Sequence, residues 1–126
     1  MGAVPRLRAA RGHAELGRAG ERAAAEFLRR RGYEVIGAGF LARRGELDLV
    51  CRKGDELVVV EVKTRSGDGF GTPIEAVGAR KRHALVAAAA EYRALAGWRG
   101  RIRFAVVGVT VRRDRTFHVE LIDDAF

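Results

Sequence analysis

Apolar positions along the chain fall into two rhythms. Between residues 14 and 31, Leu16, Gly20, Ala23, Ala24, Phe27 and Leu28 recur at helical spacing, which predicts an amphipathic helix. Gly32 stands where a helix C′ residue belongs, and Arg29, Arg30 and Arg31 complement the carbonyl end of the dipole. Gly17 and Gly20 each weaken a helix by about 1 kcal/mol relative to alanine. Their presence predicts close approach by another backbone or a ligand. Tyr33–Leu41 reads as a strand centred on Val35 and Ile36. Two further apolar-rich runs, Glu46–Cys51 and Leu57–Lys63, flank Lys53-Gly54-Asp55-Glu56. Gly-Asp between strand-like runs signals a hairpin, because glycine supplies the positive φ. Thr72-Pro73-Ile74-Glu75 combines an N-cap, proline at N1 and a capping-box glutamate. It predicts a helix running to about Ala96, buried through Ile74, Val77, Leu85, Ala88, Ala89, Tyr92 and Leu95. Ile102–Thr110 and Phe117–Ile122 read as two more strands joined by Arg112-Arg113-Asp114-Arg115. The order is α-β-β-β-α-β-β in an α/β domain, with a right-handed crossover making strand four parallel to strand three.

The hairpin fixes a register. A two-residue turn at Gly54-Asp55 sets Lys53 opposite Glu56, and counting back sets Asp48 opposite Glu61, Glu46 opposite Lys63 and Leu47 opposite Val62. Alternation then puts Leu47, Leu49, Cys51, Val58, Val60 and Val62 on one wholly apolar side. The other side holds Val50 and Val59 near the turn and Glu46, Asp48, Glu61 and Lys63 at the open end. Two carboxylates directly opposite, with Cβ atoms ~5 Å apart, repel and weaken a hairpin. A bound cation explains the pair; so does an ion network with Lys63 and a nearby arginine. The pattern alone leaves both open.

Composition narrows the partners. The chain has 126 residues, 48% of them hydrophobic, which suits one folded domain spanning 13–126 behind a flexible basic arm at 1–12. Lys and Arg number 24 against 16 Asp and Glu, a net charge of +8. That excess points to a polyanion, nucleic acid first. A single cysteine, Cys51, excludes an internal disulfide and reads as a small buried apolar residue. No apolar run is long enough for a membrane span, and Met1–Gly12 lacks the apolar centre of a signal peptide, so a cytoplasmic protein is expected. The glycine-rich Ser66–Gly71 lacks the Gly-Lys-Ser/Thr of a phosphate-binding loop, which leaves a loop beside a site. Arg80, Lys81, Arg82 and His83 form a basic cluster that fits either a phosphate backbone or a solvated helix face.

One ordered set of motifs adds a further expectation. It comprises Leu16-Gly17-x-x-Gly20-Glu21-x-x-Ala24, Gly32-Tyr33, Gly45-Glu46-Leu47-Asp48-Leu49-Val50, Val60-Glu61-Val62-Lys63-Thr64-Arg65, Phe70-Gly71-x-Pro73-x-Glu75-Ala76-Val77 and Lys81. Over roughly residues 16–109 it resembles the YraN-like family of small bacterial proteins, which are uncharacterised or predicted endonucleases. That family is related to the PD-(D/E)XK nuclease superfamily and is similar to archaeal Holliday junction resolvases. The resemblance implies a restriction-endonuclease-like core, a mixed sheet flanked by helices. It implies Mg²⁺- or Mn²⁺-dependent hydrolysis of DNA phosphodiesters, branched or damaged DNA included. The superfamily's aspartate and Glu-x-Lys correspond to Asp48 and Glu61-Val62-Lys63, and its helix glutamate to Glu21.

The implied catalytic residues are therefore Glu21, Asp48, Glu61 and Lys63. Asp48, Glu61, the Val62 carbonyl and Glu21 are the implied metal ligands, and oxygen donors suit Mg²⁺. Lys63, on the same side as Glu61, would orient a water or neutralise transition-state charge. Glu46 is assigned a supporting role, keeping Lys63 placed. Arg43, Arg44, Arg65, Arg80, Lys81 and Arg82 are candidate phosphate contacts. Junction resolvases pair to cut two strands, which makes a homodimer an expectation. Two positions depart from the family: Ala105 stands where Arg-Phe-Asp-Val-Val is common, and Gly39 where strand one often ends in asparagine. The alternative is a non-catalytic nucleic-acid-binding module of a DNA-processing complex on the same scaffold.

Overall fold

The period-2 runs pair into one sheet and the period-3.6 runs cover its two faces. The structure is a computed structural model describing residues 12–67 and 77–126. Its elements are α1 (Gly12–Arg30), β1 (Glu34–Leu41), β2 (Glu46–Lys53), β3 (Glu56–Ser66), α2 (Ala79–Ala96), β4 (Arg101–Val111) and β5 (Phe117–Ile122). The sheet order is β1-β2-β3-β4-β5. Among the described strands only the β3–β4 pair is parallel, in register from Glu56↔Arg101 to Ser66↔Val111. This is the predicted α/β architecture, and its strand order is compatible with a restriction-endonuclease-like core. The predicted arm lies outside the described residues apart from Gly12, which already belongs to α1.

Helix α1 stops where its glycine permits. Gly32 adopts φ +87, and the Tyr33 N–H closes the helix end on the Leu28 carbonyl at 3.0 Å. Ala23, Ala24, Ala25 and Leu28 pack on Leu49, Cys51, Val58, Val60, Ala105, Val107 and Val109. The helix comes closest at Gly20: a Cβ there would overlap the Thr64 side chain of β3. The close approach expected from glycine is therefore real at Gly20, whereas Gly17 has nothing near it.

On the opposite face, Leu57, Val59, Val50 and Val106 pack under Val77, Leu85, Ala88 and Ala89. Leu47 joins this cluster rather than the α1 side. That corrects the simple alternation, since Leu47 and Leu49 face opposite ways. Leu95, expected in the buried face of α2, is 77% exposed. Helix α2 also starts later than predicted. Gly78 is its N-cap, in extended backbone (φ −76, ψ 178) with no side-chain cap bond. An extended residue cannot continue a helix, so α2 does not run on from Thr72-Pro73-Ile74-Glu75, which lie outside the described residues. Among the described residues, no helix is long and apolar enough to cross a membrane.

Candidate metal centre and its basic surroundings

The site begins where a ladder stops. β2 and β3 hold the predicted register from Lys53↔Glu56 through Leu49↔Val60, and the pairing goes no further. Asp48, Leu47 and Glu46 are therefore not in register with Glu61, Val62 and Lys63, as extrapolation from the turn required. In place of a ladder bond, the Val62 N–H donates to Asp48 Oδ2 at 2.8 Å. The side chain satisfies a backbone donor that would otherwise be stranded in the opening fork.

Glu61 lies beside Asp48 and is 3% exposed. Val62 turns its side chain into the α1-side core, as predicted, so Glu61 and Lys63 point to the α2 side. Glu61 Oε2 receives two ammonium groups, Lys63 Nζ at 3.4 Å and Lys81 Nζ at 3.3 Å. Its other oxygen, Oε1, is buried and has no hydrogen-bond donor among the described residues. A buried carboxylate oxygen without a donor is costly and uncommon.

Two more acids close on the fork. The Gly20–Thr64 contact seats α1 low over β3, and the next residue is Glu21. Carboxylate oxygens of Glu21, Glu46 and Asp48 all lie within 4.8 Å of one another. Crowding shows in their acidity. The Asp48 pKa is pushed from 3.8 up to about 8, first by burial, then by the charge of Glu61 and a proton shared with it. The Val62 N–H pulls the other way, and Glu21 adds a smaller upward push. Glu21 is also raised, by burial first and then by Glu46 and Glu61, against Arg18. Three carboxylates, Glu21, Glu46 and Asp48, converge, with Glu61 beside Asp48 but held by Lys63 and Lys81, and such a group of acids could hold a proton or a metal ion.

Glu46 is the main change from the sequence reading. It pairs with Leu41 of β1 and stands with Glu21 and Asp48, while Lys63 is held by Glu61 instead. The side that Glu46 shares with Asp48 is the predicted one; what differs is the partner, since the β2–β3 pairing ends at Leu49↔Val60 and Glu46 does not meet Lys63.

The basic residues separate into groups. Arg44, Arg80 and Lys81 line a cleft of about 560 Å³ with Gly45, Glu46 and Gly78. Arg82 does not join them: its Nε donates to the Val77 carbonyl at 3.1 Å and its guanidinium lies 5.3 Å from the Phe126 ring centre. It ties down the start of α2. Arg43 is exposed, with its backbone N–H on Glu91 Oε2 at 3.0 Å, and Arg65 is half-buried past Lys63 on β3. On the α1 side, a second groove of about 590 Å³ is lined by Arg18, Arg22 and Arg29 with Glu21, Glu26, Val35, Ala38 and Leu49. The sequence reading did not name them as a binding surface, giving Arg29 only a role at the helix end, although their i, i+4, i+11 spacing marks one helix stripe. It also missed the contact of Lys81 with Glu61, which only the packing of α2 on the sheet creates.

The two positions that depart from the family pattern differ in setting. Gly39 adopts φ +65, a conformation open to glycine and, next best, asparagine. A Cβ there would sit 4.0 Å from Glu46 Oε1, an ordinary contact. Ala105 pairs with Val60 and is buried in the α1-side core, so β4 supplies no carboxylate at that position.

Comparison with known proteins matches residues 20–109 to the uncharacterised protein family UPF0102, a stretch that contains all four acids and both lysines. A UPF0102 protein of Moorella thermoacetica is 44% identical over 112 residues, covering 87% of this chain and 93% of its own. One from Symbiobacterium thermophilum is 46% identical over 112 residues, covering 88% and 95%. One from Syntrophomonas wolfei is 53% identical over 78 residues, covering 62% and 68%. With most of its length, and the whole acid cluster, inside the matched region, this chain belongs to the UPF0102 family.

Proposed function

We propose that this protein is a Mg²⁺- or Mn²⁺-dependent nuclease that hydrolyses DNA phosphodiesters. The observation that carries the reading is the buried Oε1 of Glu61, without a donor among the described residues, beside Asp48, itself clustered with Glu21 and Glu46. The donor set fits the ion: it is all oxygen, strongly anionic, and has no thiol or imidazole in it. Glu21, Glu46, Asp48 and Glu61 would hold the cation. Bound there, the cation supplies a water of lowered pKa and positive charge for the phosphate oxygens. Lys63, fixed against Glu61, adds an ammonium where charge develops on the phosphate. Arg44 and Arg80 line the adjoining cleft and would grip the backbone on either side of the scissile bond. The net charge of +8 favours the same polyanion.

Basic clefts flank the carboxylates on both faces of the sheet, one against α2 and one against α1. That supports a branched substrate, with one arm to each face, over a uniform duplex. Two copies acting together would cut both strands of a junction, and sedimentation of the protein with and without a four-way junction tests that pairing. The natural place of action is the cytoplasm, where bacterial DNA lies. The central test incubates labelled duplex, flap and four-way-junction DNA with each metal. Cutting should require the metal and vanish in Asp48→Asn and Glu61→Gln. If the wild-type protein cuts none of these substrates above the variants, the enzymatic reading of them is lost.

The Arg18, Arg22 and Arg29 groove favours a second reading, because a binding surface needs no chemistry. A non-catalytic DNA-binding module would bind with steep salt dependence. Its binding would be indifferent to EDTA and to Glu61→Gln.

A further inference from the structure

Among the described residues, Glu61 Oε2 is bound by two ammonium groups and Oε1 has no hydrogen-bond donor. One ammonium is enough to neutralise one carboxylate, and two drawn to the same oxygen repel each other. The two lysines are not equivalent. Lys63 lies two residues from Glu61 on the same strand, so the pleat holds it there. Lys81 comes from another element. Its side chain is 41% exposed, and it lines the 560 Å³ cleft together with Arg44 and Arg80. A phosphate entering that cleft competes with Glu61 for the Lys81 ammonium, and Glu61 still has Lys63 if it loses.

We infer that Lys81 is a positioning residue that couples substrate to cation: it sits on Glu61 when the cleft is empty and moves to the substrate phosphate when the cleft is filled, releasing the carboxylate for the metal. The inference rests on the nuclease reading of the site and adds an order to it. Without DNA, Glu61 is partly occupied by a protein cation, so the metal is held weakly. With DNA, Lys81 no longer competes, only Lys63 remains on Glu61, and the metal is held more tightly. Linkage requires the reverse as well, with metal tightening DNA by the same factor. A protein so built keeps a reactive ion from settling until a phosphodiester is in place.

The experiment titrates Mn²⁺ by electron paramagnetic resonance, with and without a saturating phosphorothioate duplex, subtracting Mn²⁺ bound by the duplex alone. It compares the wild type with Lys81→Gln and Lys81→Arg. Without DNA, Lys81→Gln should bind Mn²⁺ about tenfold tighter than wild type, a usual size for such coupling. With DNA the two should bind alike, and Lys81→Arg should restore the wild-type difference. A merely structural ion pair predicts weaker Mn²⁺ binding in Lys81→Gln under both conditions. A plain charge effect predicts the same tightening under both. Either result overturns the inference while leaving the metal site standing. If wild-type protein binds no Mn²⁺, the cation reading falls and takes this inference with it. Melting curves of the variants without metal confirm that each is folded.

Discussion

Gly20 of α1 and Thr64 of β3 meet with no room for a methyl group between them. This contact sets the height of the helix over the sheet, and Glu21 is the next residue along. Gly20→Ala should therefore cost stability, on the order of 1–3 kcal/mol as for overpacking elsewhere. It should also weaken Mn²⁺ binding by lifting Glu21 from its partners. Gly17→Ala is the matched control, with open space around it. It should stabilise by up to about 1 kcal/mol from helix propensity alone. Adding Thr64→Ala to Gly20→Ala should recover part of the loss. Denaturant melts and Mn²⁺ titrations read both effects, and equal behaviour of the two glycine variants would refute the packing argument.

Asp48 gives a pH prediction with a definite sign. Its pKa in the folded chain is about 8 against an ordinary 3.8. Between those values the metal-free folded state keeps a proton that the unfolded chain releases. This contribution to stability is fully present below about pH 4 and is lost as pH rises through about 8. Asp48→Asn cannot ionise and still accepts the Val62 N–H. Its melting temperature should pull ahead of wild type as pH rises, by roughly 5 °C or more at pH 8, on a scale of ~4 °C per kcal/mol. Saturating Mn²⁺ should reverse the order, stabilising the wild type and not the variant. A difference that stays flat from pH 5 to 8, sampled about every half unit, would contradict the assignment.

The arginine stripe on α1 can be weighed by salt. Each phosphate contact contributes about 0.9 to the slope of log K against log salt on duplex DNA. Replacing Arg18, Arg22 and Arg29 together by alanine should lower that slope by up to roughly 3 if all three meet phosphates. Replacing Arg44 and Arg80 should lower it by up to about 2, additively with the first set. Replacing Arg82 should leave the slope unchanged and lower the melting temperature, because it anchors α2 through Val77 and Phe126. Fluorescence anisotropy at four or more salt concentrations would measure all three.

Most of the architecture could be read from the chain because local signals agreed with the fold. The Gly54-Asp55 turn, the β-branched run of β3 and the glycine after α1 each specify backbone geometry without help from distant residues. The alternation draws attention to Asp48, Glu61 and Lys63, but the register it implies for them does not form, and their site roles come from the family resemblance. What escaped depended on tertiary packing. The end of the β2–β3 ladder has no signature in an alternating run, so neither the side that Leu47 faces nor the absence of a Glu46–Lys63 pair is legible from it. Lys81 reaches Glu61 across 20 positions in sequence, joined only by how α2 lies on the sheet. Thr72 to Glu75 looked like a helix start on propensity alone, yet the extended backbone at Gly78 is where α2 takes its beginning.

One oxygen of Asp48 serves architecture as well as the proposed chemistry, since Oδ2 is the acceptor for the Val62 N–H. A descendant that abandoned the reaction would still be under pressure to keep a hydrogen-bond acceptor here, or leave the backbone of its central hairpin frayed. Persistence of this aspartate among relatives therefore records that the scaffold endures. If the proposed reaction holds, Glu61 is the more telling residue, since its Oε1 has no hydrogen-bond donor among the described residues.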